Sequence, residues 1–174
     1  MINRFSILGS GSWGTALANL LANNGEECLI YTKNNEVFDS ISNDKVNKIY
    51  HPDFKLNKNI KITKNLSEFS IFSDLWIIAI PSKEISSVLK LVNAEILKKK
   101  EFIIASKGID KNSFYTISDV LIKEFNIDSS KIFTISGPNL AKEVMEQQVS
   151  ASVLAGDDLS RACLLYTTDA ADEE

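Results

Sequence analysis

Short apolar runs alternate with amphipathic stretches along most of the chain. Runs of strand length fall at residues 5–8, 28–31, 75–80, 102–105, 132–135 and 152–154, with a smaller candidate at 60–62. Between them, apolar residues recur at helical spacing over 15–23, 37–41, 85–91, 114–125 and 140–146. Alternating strand and helix signals predict βαβ units, hence an α/β fold with a mostly parallel sheet and helices on both faces. Right-handed crossovers place the C-terminal ends of such strands along one edge, where folds of this kind bind ligands. No internal repeat appears beyond this alternation. The polar stretch 43–48 and the Tyr50-His51-Pro52 segment after it read as a loop or the edge of a lid.

The residues immediately after each strand therefore carry the chemistry. Gly9-Ser10-Gly11-Ser12-Trp13-Gly14 comes directly after the first apolar run and directly before the first helical one. In that setting Gly9 permits a tight turn, Gly11 lets backbone approach a pyrophosphate, and Gly14 lets the helix pack on the strand. The helix N-terminus offers unpaired N–H groups and partial positive charge. Many glycine turns hold nothing; the position between strand and helix is what points to a dinucleotide. Trp13 is either a packing anchor beside such a ligand or a wall of the crevice next to it.

After the second run the chain reads Tyr31-Thr32-Lys33-Asn34, with no acid. A site preferring NAD usually has Asp or Glu about 20 residues beyond the motif to hold the ribose 2′-hydroxyl. Lys33 can instead face a 2′-phosphate, which favours NADP or tolerance of both; otherwise it is a solvated loop lysine. Pro81-Ser82 ends the third long run, and Ser82 is a candidate cap for the next helix. Ser106-Lys107-Gly108 can aim an ammonium into the ligand crevice, to hold a phosphate or hydroxyl or to stabilise charge on a carbonyl oxygen. In Gly137-Pro138-Asn139 the first two residues form a turn and Asn139 is a candidate N-cap.

Composition narrows the picture. The 174 residues suit about one domain. A net charge of −4, with no basic patch interleaved with aromatics, argues against a nucleic-acid partner. The run Lys98-Lys99-Lys100 reads as a solvated turn. Cys28 and Cys163 are too few for a disulfide framework or a metal site, and His51 is the single histidine. Cys28 reads as a small core residue. Without a long apolar span or a signal-peptide pattern, the expectation is a cytoplasmic protein with no membrane insertion.

Taken together, the segments 9–18, 80–82, 106–108 and 136–143 resemble, in order and spacing, the bacterial NAD(P)-dependent glycerol-3-phosphate dehydrogenases. The resemblance runs from about residue 2 to residue 156. It implies a Rossmann-like, doubly wound domain within an oxidoreductase. That enzyme reversibly reduces dihydroxyacetone phosphate to sn-glycerol 3-phosphate for phospholipid synthesis, so its partner is a small phosphorylated substrate. By the same resemblance Ser12, Trp13, Pro81 and Ala141 contact the cofactor with the three glycines, while Lys33 and Tyr50 lie near it. Lys107 touches cofactor and substrate, and Gly137 and Asn139 belong to a substrate loop. Asn139 departs from the small hydroxyl residue often found there, and 144–149 lacks the usual glycine and proline. The family's helical C-terminal domain, with its general acid/base lysine and phosphate-holding groups, has no match here. An exposed apolar face is therefore expected where that domain packs. Residues 163–174 do not resemble the family. The expected organisation is a nucleotide-binding domain over 1–161 and a frayed, non-native tail over 162–174. The full-length form is compatible with a homodimer. Two alternatives stay open: a dinucleotide-binding module without catalysis, and a related reductase with another substrate.

Overall fold

Leu75, Trp76, Ile77 and Ile78 are all buried, as are Phe102, Ile103 and Ile104. Strands covered on both faces have no reason to alternate apolar with polar, which explains these continuous runs. In the computed structural model, which describes residues 4–111 and 113–166, they lie at the centre of one sheet. The elements run in the order β1 (Arg4–Leu8), α1 (Ser12–Asn23), β2 (Glu27–Tyr31), α2 (Asn35–Asp44), β3 (Val46–Asn47), β4 (His51–Lys55), β5 (Ile60–Thr63), α3 (Leu66–Phe72) and β6 (Leu75–Ile78). The second half adds α4 (Ser82–Leu89), α5 (Ala94–Leu97), β7 (Glu101–Ile104), α6 (Ile117–Phe125), a 3-10 turn (Ser129–Lys131), β8 (Ile132–Ser136), α7 (Ala141–Met145), β9 (Val153–Gly156) and α8 (Leu159–Tyr166).

Seven strands pair in the order β5-β2-β1-β6-β7-β8-β9, and β3 and β4 form a separate hairpin. The first six run parallel and β9 runs antiparallel to β8. Counted along the chain, the parallel strands lie third, second, first, fourth, fifth, sixth, so the winding reverses between β1 and β6. A crevice opens at such a switch point because the two flanking connections leave in opposite directions. The ladder continues past the strands into the turns that frame it: Gly9 N–H donates to Tyr31 O at 3.2 Å, and Ala79 N–H to Leu8 O at 2.9 Å.

The two sides of the sheet bury separate cores. One gathers Ile7, Ala16, Ile30, Ile77 and Phe133 with the inner face of α1. The other gathers Leu8, Ile78, Leu89, Leu121 and an aromatic row. In that row Phe69 meets Trp76 edge-on at 4.7 Å between ring centres, and Trp76 meets Phe102 at 5.9 Å. The buried indole N–H donates to Ser73 O at 3.2 Å, so this large ring leaves no polar atom unpaired. Asparagine ends several loops here. Asn34, Asn65 and Asn93 each accept a backbone N–H at the start of a helix, as Thr116 does for α6.

The expected architecture is present, with local differences. The helix expected from 114 begins only at Ile117, because Phe114 takes φ 57° and Thr116 caps α6. Asn139 is not an N-cap: Leu140 occupies that position, and the Asn139 amide donates to Ser152 Oγ at 2.6 Å. Ser82 lies inside α4, with Pro81 at the cap position and no side-chain cap. Lys100 does not sit in a solvated turn; it is 5% exposed, with Nζ on Ser73 O at 2.9 Å and on Asp74 Oδ1 at 2.7 Å. The hairpin β3–β4, α3, α5 and α8 had no counterpart among the expected elements. Helix α8 carries the chain through residues 163–166 and is tied to the sheet by Arg161, whose Nε and Nη2 reach Glu101 at 2.8 and 2.6 Å. The rest of the expected tail, 167–174, lies outside the described residues. No helix among the described residues is long and apolar enough to cross a membrane.

Replacing Trp76 with Ala removes the middle of the aromatic row where no side chain can follow it inward. The expected cost is about 3–5 kcal/mol, read as a lower urea midpoint at unchanged slope.

Candidate functional site

The turn after β1 is built by three glycines with three different constraints. Gly9 has φ 124°, and a Cβ there would stand 2.6 Å from Ala79 O. Only glycine takes that backbone shape beside a neighbouring strand without strain. At Gly14 a Cβ would overlap the carbonyl oxygen of Gly9, so α1 rests directly on the turn. Gly11 is the opposite case: apart from its own residue and chain neighbours, nothing lies within 4 Å of the place a Cβ would occupy, and Gly11 borders a cleft. The backbone is bare where a ligand can approach. Helix α1 has no side-chain cap and no acid in its first turn. Its leading N–H groups and the positive end of its dipole are left for an anion.

Side chains lock this turn from behind. Ser10 Oγ and Thr32 Oγ1 share a hydrogen bond of 2.6 Å, and Thr15 Oγ1 donates to Ser10 O at 3.2 Å. The hairpin β3–β4 closes on the same place. Asn47 Nδ2 donates to Ser10 O at 3.0 Å and to Thr15 Oγ1 at 2.8 Å. His51, 3% exposed, sets Nε2 at 2.9 Å from Ser12 O and 3.2 Å from Ser12 Oγ. Asn47 was missed in the sequence because its partners Ser10 and Thr15 lie more than thirty positions away and a buried asparagine leaves no periodic trace.

A cleft of about 780 Å³ runs along the C-terminal ends of the central strands. Its walls are the glycine turn, the end of β2 and the loop after it (Tyr31–Asn34), Tyr50 on the hairpin, Ala79–Pro81 after β6, Ala105–Lys107 after β7, and Asn139–Ala141 at the start of α7. A second hollow of about 580 Å³ shares Trp13, Ala105, Ser106, Lys107 and Asn139 with it, and extends to Gly137 and the first residues of α6. Lys107 and Trp13 thus stand where the two meet. Gly9, Gly11, Ser12, Trp13, Lys33, Tyr50, Pro81, Lys107, Asn139 and Ala141 all line the first cleft. Gly14 supports it from beneath, and Gly137 borders only the second hollow. Glu84 and Val88 of α4 also line the first cleft and were not anticipated.

The loops carry their cations on fixed backbone. Ser106 Oγ donates to Ile78 O at 3.1 Å and to Ile80 O at 2.6 Å, tying the exits of β6 and β7 and leaving Lys107 exposed beside them. Lys33 is exposed too, between Thr32, whose Oγ1 accepts from Asn34 N at 3.1 Å, and Asn34, which caps α2. Burial pushes the Tyr31 phenol upward from its ordinary value. Burial also pushes the Cys28 thiol up to about 12, which makes it an inert core residue. Asn139 is poised differently. Its Nδ2 is used on Ser152, while Oδ1 is buried without a partner among the described residues. No cluster of three or more His, Cys, Asp or Glu with metal-binding arrangement occurs among the described residues. Leu140, Val149 and Val153, around α7 and β9, expose most of their apolar surface.

A doubly wound parallel sheet, with a bare glycine turn at its switch point and an open cleft along the strand ends, defines a dinucleotide-binding domain. Residues 4–162 match the sequence family described as "NAD-dependent glycerol-3-phosphate dehydrogenase N-terminus". The chain belongs to that family of nicotinamide-dependent oxidoreductases. It is 38% identical over 150 residues to glycerol-3-phosphate dehydrogenase [NAD(P)+] of Neorickettsia sennetsu, a match covering 86% of this chain and 44% of the relative. It is 37% identical over 158 residues to the protein of that name in Halothermothrix orenii, covering 91% and 46%. The crystal structure of glycerol-3-phosphate dehydrogenase from Coxiella burnetii superposes with a TM-score of 0.83 at 26% identity, over 94% of this chain and 50% of that one. The chain spans about half the length of the curated relatives it matches.

The glycines separate by experiment. Gly14→Ala sets a methyl against the Gly9 carbonyl and is expected to cost about 1–3 kcal/mol. Gly11→Ala meets open space at an ordinary φ of −69° and is expected to change stability by less than about 1 kcal/mol. Thermal melts of the two variants beside the parent test both.

Proposed function

We propose that this chain is the cofactor-binding part of a dehydrogenase that interconverts dihydroxyacetone phosphate and sn-glycerol 3-phosphate, using NADPH in preference to NADH. The observation that carries the reading is the open flank of Gly11 in front of the uncapped α1. Backbone N–H groups there can meet a diphosphate with no side chain between. The relatives named as glycerol-3-phosphate dehydrogenases support the choice of reaction.

The residues divide by place. Gly9, Gly11, Ser12, Trp13 and Gly14 form or support the diphosphate cradle, and Tyr50, Pro81 and Ala141 line the rest of the dinucleotide cleft. Lys33, with no carboxylate among its loop neighbours, supplies the cation for a ribose 2′-phosphate. A bound nicotinamide supplies a hydride for the substrate's carbonyl carbon. Lys107, at the junction of the two hollows, holds the substrate and offsets negative charge growing on its oxygen. Gly137 and Asn139 border the second hollow, where the substrate sits. The proton that completes the reduction comes from the lysine the resemblance assigns and this chain does not match.

Titration of NADH and NADPH against the 174-residue chain, followed by quenching of its tryptophan fluorescence, tests this. Both are expected to bind, NADPH more tightly. Gly11→Ala is expected to weaken both by about tenfold or more with an unchanged melting temperature. Lys33→Glu is expected to weaken NADPH by about tenfold and to leave NADH within about twofold. Failure of the parent chain to bind either dinucleotide overturns the proposal; equal losses of both in Lys33→Glu overturn the NADPH preference.

A further inference from the structure

We infer that Asn47 is a positioning residue for the dinucleotide cleft, setting the direction of the glycine-turn backbone before any ligand arrives. The inference rests on the reading of that cleft as a dinucleotide site. Asn47 is 0% exposed, so its amide has given up all its water. Such burial is unfavourable unless the lost hydrogen bonds are replaced. They are replaced by Ser10 O and the backbone N–H of Tyr50, both at the cleft, and by Thr15 Oγ1 in α1 behind it; the Tyr50 N–H lies 3.4 Å from Oδ1. The network leaves the amide one orientation. Ser10 O can only accept, so Nδ2 must face it, and Oδ1 must then face the Tyr50 N–H.

The consequence lies in the peptide plane between Ser10 and Gly11. In a trans peptide the C=O and the following N–H point in opposite directions. Ser10 O is held inward by two donors, Asn47 Nδ2 and the Thr15 hydroxyl. The Gly11 N–H is thereby turned the other way, at the glycine that borders the cleft. His51 repeats the device farther along the turn, with Nε2 on Ser12 O. Because Asn47 also holds the Tyr50 backbone, one side chain registers the diphosphate cradle against a second wall of the cleft.

Two variants of the 174-residue chain test this by NADPH titration below the melting temperature of each. Asn47→Leu keeps the volume and removes every polar contact. Its affinity is expected to fall by about tenfold, with the ratio to the parent constant across pH. Asn47→Asp keeps the shape, but its carboxylate cannot donate to Ser10 O. A protonated carboxyl can. Its deficit is therefore expected to be large near pH 8 and to shrink as pH falls toward about 5. Each affinity is divided by that of the parent at the same pH, which removes any pH dependence common to the three proteins, that of the neighbouring His51 included. A purely structural asparagine would move the melting temperature without a pH-dependent recovery of affinity. Parent-like binding by Asn47→Leu, or an Asn47→Asp deficit unchanged on acidification, overturns the inference. Should Asn47→Leu fail to fold, the acid recovery of Asn47→Asp decides alone. A parent chain that binds no dinucleotide overturns the cofactor reading together with this one.

Discussion

The contact on which the rest depends is the one between α1 and the carbonyl of Gly9, with no side chain between them. It fixes how steeply the helix leaves the sheet, and so where its first N–H groups point. Ala79, from the far side of the switch point, closes on the same turn and leaves Gly9 no room for a Cβ either. Two neighbouring strands and one helix thus meet at a few backbone atoms. The pocket in front of them has its shape because the space behind them is full.

Around that contact the binding surface is made of loops, and each loop is pinned by a polar side chain belonging to it or to its neighbour. Ser106 holds the exits of β6 and β7 together, Thr32 and Ser10 join the exits of β2 and β1, and the hairpin grips the turn through Asn47 and His51. Loops normally move more than the elements they connect. Here short hydrogen bonds, many of them buried, give the strand ends a rigidity that the apolar core cannot supply, since its two clusters lie above and below the sheet rather than at its edge. The charged groups, Lys33 and Lys107, stay exposed on this fixed backbone, free to meet anions.

The same division explains what could be read from the sequence. The parallel strands and α1 were legible because burial on both faces writes a continuous apolar run and the glycine turn has a local cause for each glycine. The residues that line the cleft were legible because most come just after strands, and the fold gathers strand ends. What escaped depends on distant partners. Asn139 looks like an N-cap from its neighbours alone, but Ser152, brought alongside by β9, captures its amide. Lys100 ends a charged run and yet finds Ser73 O and Asp74 at the edge of the core. The hairpin is mostly polar and short, and its purpose is to bond a turn about forty residues upstream, which no local pattern announces. Helix α3 escaped for a simpler reason: in its two turns Phe69 is the one large apolar residue fully buried, too little to register as a period.

The reversed winding has a consequence for the order in which the molecule can form. The glycine turn precedes its lid of backbone in the chain: that lid comes from Ala79, and β1 acquires its second neighbour only when Ser6 pairs with Trp76. Contacts so far apart in sequence cost loop-closure entropy before they return any stabilisation. The nascent turn is therefore an open glycine-rich segment until a whole βαβ unit and the hairpin have emerged behind it. The ligand-shaped part of the protein, though it precedes those elements in the chain, is completed after them.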